Sequence, residues 1–166
     1  MSYTPFKSTS PRAIAGIGFQ KRVLKEFQNL FPNIQFEMTW DYFKTQDPSL
    51  TDRELAIIEK KEGDITYVFG GERHFVECCF AMGEKLSRLC EMKRKNFIGQ
   101  NKWYCYGFAN SNDIIFIPSF VWQSYTAKIK TSDKSCRMVP VDSIKSIKAG
   151  CSGLASYWEN VHGVQQ

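Results

Sequence analysis

The chain has 166 residues, 43% hydrophobic and 23% charged, with a formal net charge of +5. That is enough to bury one core without disulfides or structural metals, and the composition is ordinary for a globular protein. No apolar run nears the roughly 20 residues of a membrane helix, and the opening "MSYTPFKSTSPR" lacks the apolar segment of a secretory leader, so a cytoplasmic protein is expected.

In chain order, "PRAIAGIGFQKRVLKEFQNLF" places Ile14, Ile17, Val23, Leu24, Phe27, Leu30 and Phe31 near a helical period. It predicts a long amphipathic helix starting around Pro11 and stopping before Pro32. In "NIQFEMTWDYF", Ile34, Phe36, Met38 and Trp40 recur at period two, which reads as a strand or an extended connection. Thr51 and Glu54 in "TDRELAIIEKK" form a capping-box signature ahead of a short helix. Two strands follow, "DITYVFG" and "RHFVECCFA", joined across "GGE" in a tight turn.

The basic segment from Glu84 to Phe97 reads as a helix, with Leu86, Leu89 and Met92 or Lys93 along one side. "KWYCYGFAN" and "DIIFIPS" then read as strands around the turn "NSND", with Tyr104 and Tyr106 on one face and Trp103 on the other. "SFVWQSYTA" predicts another helix, followed by a basic loop and less regular chain beyond Pro140. Helices interspersed with a mixed central β-sheet make an α/β domain, without a linker or repeat: a core over about 13–117 and a C-terminal extension over 118–166.

Charge is concentrated locally. "KLSRLCEMKRKN" holds five basic residues against one acid, "AKIKTSDKSCR" is also basic, and residues 37–64 are comparatively acidic. Such concentrations suit a polyanionic partner, because cations that neutralise phosphates release condensed counterions. The six cysteines, at positions 78, 79, 90, 105, 136 and 151, are expected to be reduced, and zinc is disfavoured, since no C-x2-C pair occurs and the histidines are His74 and His162 alone.

The chemistry centres on Asp64 and Glu77. A hairpin through "GGER" brings the start of one strand beside the middle of its partner, so the two carboxylates can meet on one face. Two carboxylates, a backbone carbonyl beside Glu77 and waters suit Mg²⁺ (or Mn²⁺), a hard cation that takes only one or two acids from a protein. The bland alternative is the solvated side of a hairpin. Cys78 and Cys79 alternate across the strand, so one belongs to the core and the other lies near the acids. His74 is too far along the strand to activate Cys78.

A leading helix with a Gly-x-x-Phe start, "GDI" opening a strand and a hairpin ending in the apolar-flanked Glu of "VECC" together resemble the PD-(D/E)XK nuclease superfamily of restriction endonucleases and Holliday-junction resolvases, over about residues 13–117. The resemblance implies a restriction endonuclease-like fold, DNA as partner, a Mg²⁺-dependent endonuclease with Asp64 and Glu77 as metal ligands, and a homodimer as one possible assembly. Cys79 falls where that family carries lysine, and a neutral thiol cannot replace an ammonium. The lysine is therefore assigned to Lys93 on the following helix, with Lys85 second; "CEMK", with Glu91 and Lys93, is a competing alignment. Gln20 or Glu26 occupies the first-helix position that is often glutamate. Lys85, Arg88, Arg94, Lys95, Lys128 and Lys130 are expected to hold the nucleic-acid backbone. The rival expectation is an inactive nuclease-fold protein that binds nucleic acid or a protein partner, such as an inhibitor from a mobile element.

Overall fold

The computed structural model describes residues 10–81, 88–92, 99–109, 111–119, 136–140 and 153–163. Helix α1 spans Pro11–Leu30, with proline in its first turn and Ser10 accepting the Ala13 N–H at 3.2 Å as N-cap. Its buried stripe is Phe19, Val23 and Phe27, spaced four apart so that all three face the sheet. Strand β1 is only Glu37–Met38, and α2, Thr39–Gln46, begins directly after it. The period-two pattern over 34–40 therefore yields irregular chain over 34–36, a strand for two residues and the start of a helix at Thr39. Asp41 in the first turn and Lys44 in the last complement the helix dipole, and buried Trp40 anchors the helix. Helix α3, Asp52–Glu62, carries the expected capping box between Thr51 and Glu54 and ends on Gly63, whose φ is 99°.

Strands β2 (Ile65–Phe69) and β3 (Glu72–Ala81) pair antiparallel, closing from Phe69 opposite Glu72. Gly70 and Gly71 form the two-residue loop, both at positive φ (61° and 79°), the conformation that matches strand twist and favours glycine. Strand β4 is Arg88–Met92, β5 is Lys102–Phe108, β6 is Ser111–Pro118 and β7 is Cys136–Pro140. The main sheet has the order β1-β2-β3-β5-β6, antiparallel throughout except for the parallel pair β3 and β5. Strands β4 and β7 form a separate antiparallel pair.

Among the described residues this is an α/β arrangement: a mixed five-stranded sheet with four helices. The helix expected over 84–97 is corrected for its centre, because Arg88–Met92 is extended and paired with β7; its hydrophobic and charged residues satisfy either reading until a partner strand is known. The chain beyond Pro140, expected to be irregular, contributes helix α4, Gly153–His162. The helix expected in "SFVWQSYTA" lies almost wholly outside the described residues.

The main core lies between one sheet face and helices α1 and α4. Phe19, Val23 and Phe27 meet Ile65, Tyr67, Val76, Cys105 and Phe116, and α4 adds Leu154, Tyr157 and Trp158. Phe27 alone is in ring contact with Phe36, Tyr67, Phe116 and Tyr157. On the opposite face Tyr104 and Tyr106 share a side as expected and are 1% and 4% exposed, which leaves neither ring available to stack on a base.

Helix α4 docks through polar atoms as well. Tyr67 Oη lies 2.7 Å from both Tyr157 Oη and His162 Nε2, and the His74 and His162 rings meet edge to face at 4.6 Å. Burial, aided by the charge of His74, pushes the His162 imidazole down to about 4 from 6.5, and burial also lowers His74 against the opposing pull of Glu72. A base whose folded pKa is depressed takes up protons preferentially when unfolded. The stabilisation is thus complete above about pH 6.5 and is lost as the pH falls toward 4. Urea melts from pH 7 to 4 should show a loss of about 1–2 kcal/mol from this pair after allowance for screening, and His162→Gln should flatten that part of the profile.

Candidate active site

Gly63 terminates α3 and delivers Asp64 immediately ahead of β2. The Asp64 backbone is clamped on two sides: its N–H donates to the Val76 carbonyl and its carbonyl accepts the Thr39 N–H, both at 2.9 Å. Its side chain continues the ladder where the backbone leaves it, with Oδ2 accepting the Cys78 N–H at 2.8 Å. Ile65 pairs with Val76, so one further rung sets Asp64 across from Glu77. Both acids are buried, 3% and 6% exposed. They are not the solvated side of a hairpin.

Alternation along β3 separates the two cysteines as expected. Cys78 packs against the α1 core, whereas Cys79 shares the other face with Glu77. The Cys78 thiol is pushed well above its usual pKa, first by its hydrogen bond with Cys105, then by burial and by the neighbouring charges of Cys105, Asp64 and Glu77. It is a packed thiol, and no nucleophile.

Asp64 and Glu77 are the expected site residues that the fold brings together. Glu91 lies in β4, opposite Arg137 and in the other sheet, so the competing acid-x-lysine alignment puts its acid on a different element from Asp64's partner. Helix α1 covers the Cys78 face, which places Gln20 and Glu26 across the sheet from Glu77, and Glu26 pairs with Arg22 at 3.2 Å. Arg88 is the first residue of β4. Lys85, Lys93, Arg94, Lys95, Lys128 and Lys130 lie outside the described residues.

Sequence reading missed Lys102. In the parallel ladder Phe75 pairs with Lys102 and Glu77 with Tyr104, so Lys102 stands on the acid face of the neighbouring strand, two positions from the rung of Glu77. Its Nζ is 3.2 Å from Glu62 Oε2 and 3.5 Å from the Lys61 carbonyl. The signal was a lysine opening an apolar strand, but only parallel pairing, which local sequence does not encode, reveals its neighbours.

The described residues contain no cluster of three or more His, Cys, Asp or Glu side chains with metal-binding geometry. The donor set at this site is two carboxylates, which fits an ion that keeps much of its water, such as Mg²⁺, and does not fit an all-protein cage. Among the described residues no helix is long and apolar enough to cross a membrane. The chain matches no protein-family model, no curated protein and no solved structure in the comparisons made.

Proposed function

We propose that the chain is a cytoplasmic, metal-dependent DNA endonuclease with a restriction endonuclease-like fold. The observation that carries this reading is that two buried acids face each other, Asp64 immediately ahead of β2 and Glu77 in β3, one rung beyond the Ile65 and Val76 pair. Like charges facing each other across a ladder destabilise it, and a divalent cation reverses the sign of that interaction. Asp64 and Glu77 would hold Mg²⁺ or Mn²⁺, which when bound lowers the pKa of a coordinated water and offsets charge developing on a phosphodiester.

The chain's own residues do the rest. The Cys78 N–H fixes the Asp64 carboxylate, so the site is oriented before a substrate arrives. The basic segments around Arg88 and around Lys128 hold the backbone, and a lysine, Lys93 or Lys102, orients the attacking water. A homodimer would present two such sites to the two strands. The test is incubation of the purified protein with supercoiled, branched and single-stranded DNA in Mg²⁺, Mn²⁺ or EDTA. Metal-dependent cutting supports the enzyme; salt-sensitive binding without cutting does not.

One observation favours a second reading, a nucleic-acid-binding protein without catalysis: Cys79 occupies the lysine position on the acid face. Two substitutions separate the readings. Cys79→Lys should raise the cleavage rate about tenfold or more if the acid face is catalytic. Lys102→Ala should lower it if that lysine serves the site, while Lys93→Ala should lower it if the other does. Rates unchanged in all three variants, measured by plasmid nicking, would remove the lysine from the mechanism.

A further inference from the structure

On the α1 and α4 side of the sheet, an open cleft of about 410 Å³ lies between the tip of the β2–β3 hairpin, the start of β5 and the end of α4. Both histidines of the chain line it, although 88 positions apart in sequence. His74 is 4% exposed, and its Nδ1 is buried with no hydrogen-bond partner.

The lining defines the chemistry of an occupant. Among the described residues no Lys or Arg lines the cleft, while Glu72 does, and the last turn of α4 directs its carbonyl end toward the same region. An anion such as phosphate is therefore disfavoured. Polar groups at most positions disfavour an alkyl chain, and the absence of a three-ligand group among the described residues disfavours a metal. A hexose would want an open aromatic face, but Trp103 is only 6% exposed and the Phe69 ring is packed against Trp158 and His162. What remains is a neutral, flat ring with donors and acceptors on its edges. Gln100 and Asn101 supply carboxamides, both imidazoles are held neutral at pH 7, and Phe69 supplies an apolar wall.

We propose that this cleft binds a nucleobase, guanine in preference to the others, either as a free nucleoside or as an unpaired base in a nucleic acid. Guanine carries adjacent N1–H and N2–H donors that match the two oxygens of Glu72, and its O6 and N7 accept from a carboxamide N–H. The sugar and any phosphate stay outside, so a phosphate adds nothing to binding. This proposal does not depend on cleavage at Asp64 and Glu77.

Because the chain has two histidines and both line the cleft, the ¹⁵N imidazole spectrum reports on this site alone. Guanosine, guanosine monophosphate, uridine, glucose and an oligonucleotide hairpin with one unpaired guanine are titrated without metal. Expected are saturable shifts of both imidazoles with guanosine, no tighter binding of the monophosphate, and affinity about tenfold weaker in Glu72→Gln and in Gln100→Ala. Both substituted residues are exposed, so the variants remain folded. Shifts with the oligonucleotide alone would assign the site to bases in nucleic acid. Undisturbed imidazoles with both guanine sources, equal shifts with uridine or glucose, or full affinity in both variants would overturn the proposal.

Discussion

Glu77→Gln is expected to reduce metal-dependent plasmid cleavage by at least about 100-fold while leaving DNA affinity and the thermal melt close to wild type. Glutamine keeps the volume of the side chain and removes the charge that faces Asp64, so the change isolates the electrostatics of the site. Asp64 needs a more careful substitution. Its Oδ2 accepts the Cys78 N–H, and Asp64→Ala would leave that donor unmet in a buried place at a cost of about 1–3 kcal/mol. Asp64→Asn retains an acceptor oxygen and should lose cleavage without that penalty. A parent that cuts DNA in Mg²⁺, together with a Glu77→Gln protein that cuts equally well, would sink the assignment. A stable parent that binds DNA and never cuts would leave the binding protein standing.

The largest expected effect on stability comes from one glycine. A Cβ built on Gly107 would sit 2.3 Å from Cε1 and 2.6 Å from Cζ of Phe19, well inside contact distance. Phe19 is 3% exposed and packed against Phe80, so it cannot swing aside. Gly107→Ala should therefore cost about 3 kcal/mol, a fall in melting temperature of roughly 10 °C. Two other glycines serve as controls. At Gly99 the added carbon meets only the Lys102 side chain, no nearer than 3.6 Å, and at Gly16, within α1, it meets nothing within 4 Å. Gly16→Ala should stabilise by about 0.5–1 kcal/mol, because alanine restricts the unfolded chain and favours helix. Thermal melts of the three variants check the order; a neutral Gly107→Ala would mean that α1 moves away from β5 without cost.

These two predictions draw on features of different legibility. The hairpin and its acids were readable because every cue is local: alternation in "ITYVF" and "RHFVECCFA", a Gly-Gly loop, and an acid at each of two nearby positions. Helix α1 and the α3 capping box were readable for the same reason. The role of Gly107 was not, because it depends on α1 crossing a strand 88 positions away. Lys102 escaped notice because its relation to Glu77 exists only through the parallel β3 and β5 pairing. The segment at 88–92 was misread because "RLCEM" lacks a pattern strong enough to choose between helix and strand, and its partner β7 decides the matter. Helix α4 was missed because "GLASYWENVH" opens on glycine, a poor helix former, and is short.

The acid pair and the histidine pair also differ in when they can come into being. Asp64 and Cys78 are 14 positions apart and joined through a two-residue loop, so their contact closes a small loop and can form with the hairpin itself. Tyr67 meets Tyr157 and His162 across 90 and 95 positions, a closure that requires the sheet and α1 to offer α4 a surface. By loop closure alone the acid contact is the cheaper of the two to form, whereas the cleft lined by both histidines requires α4 on the sheet.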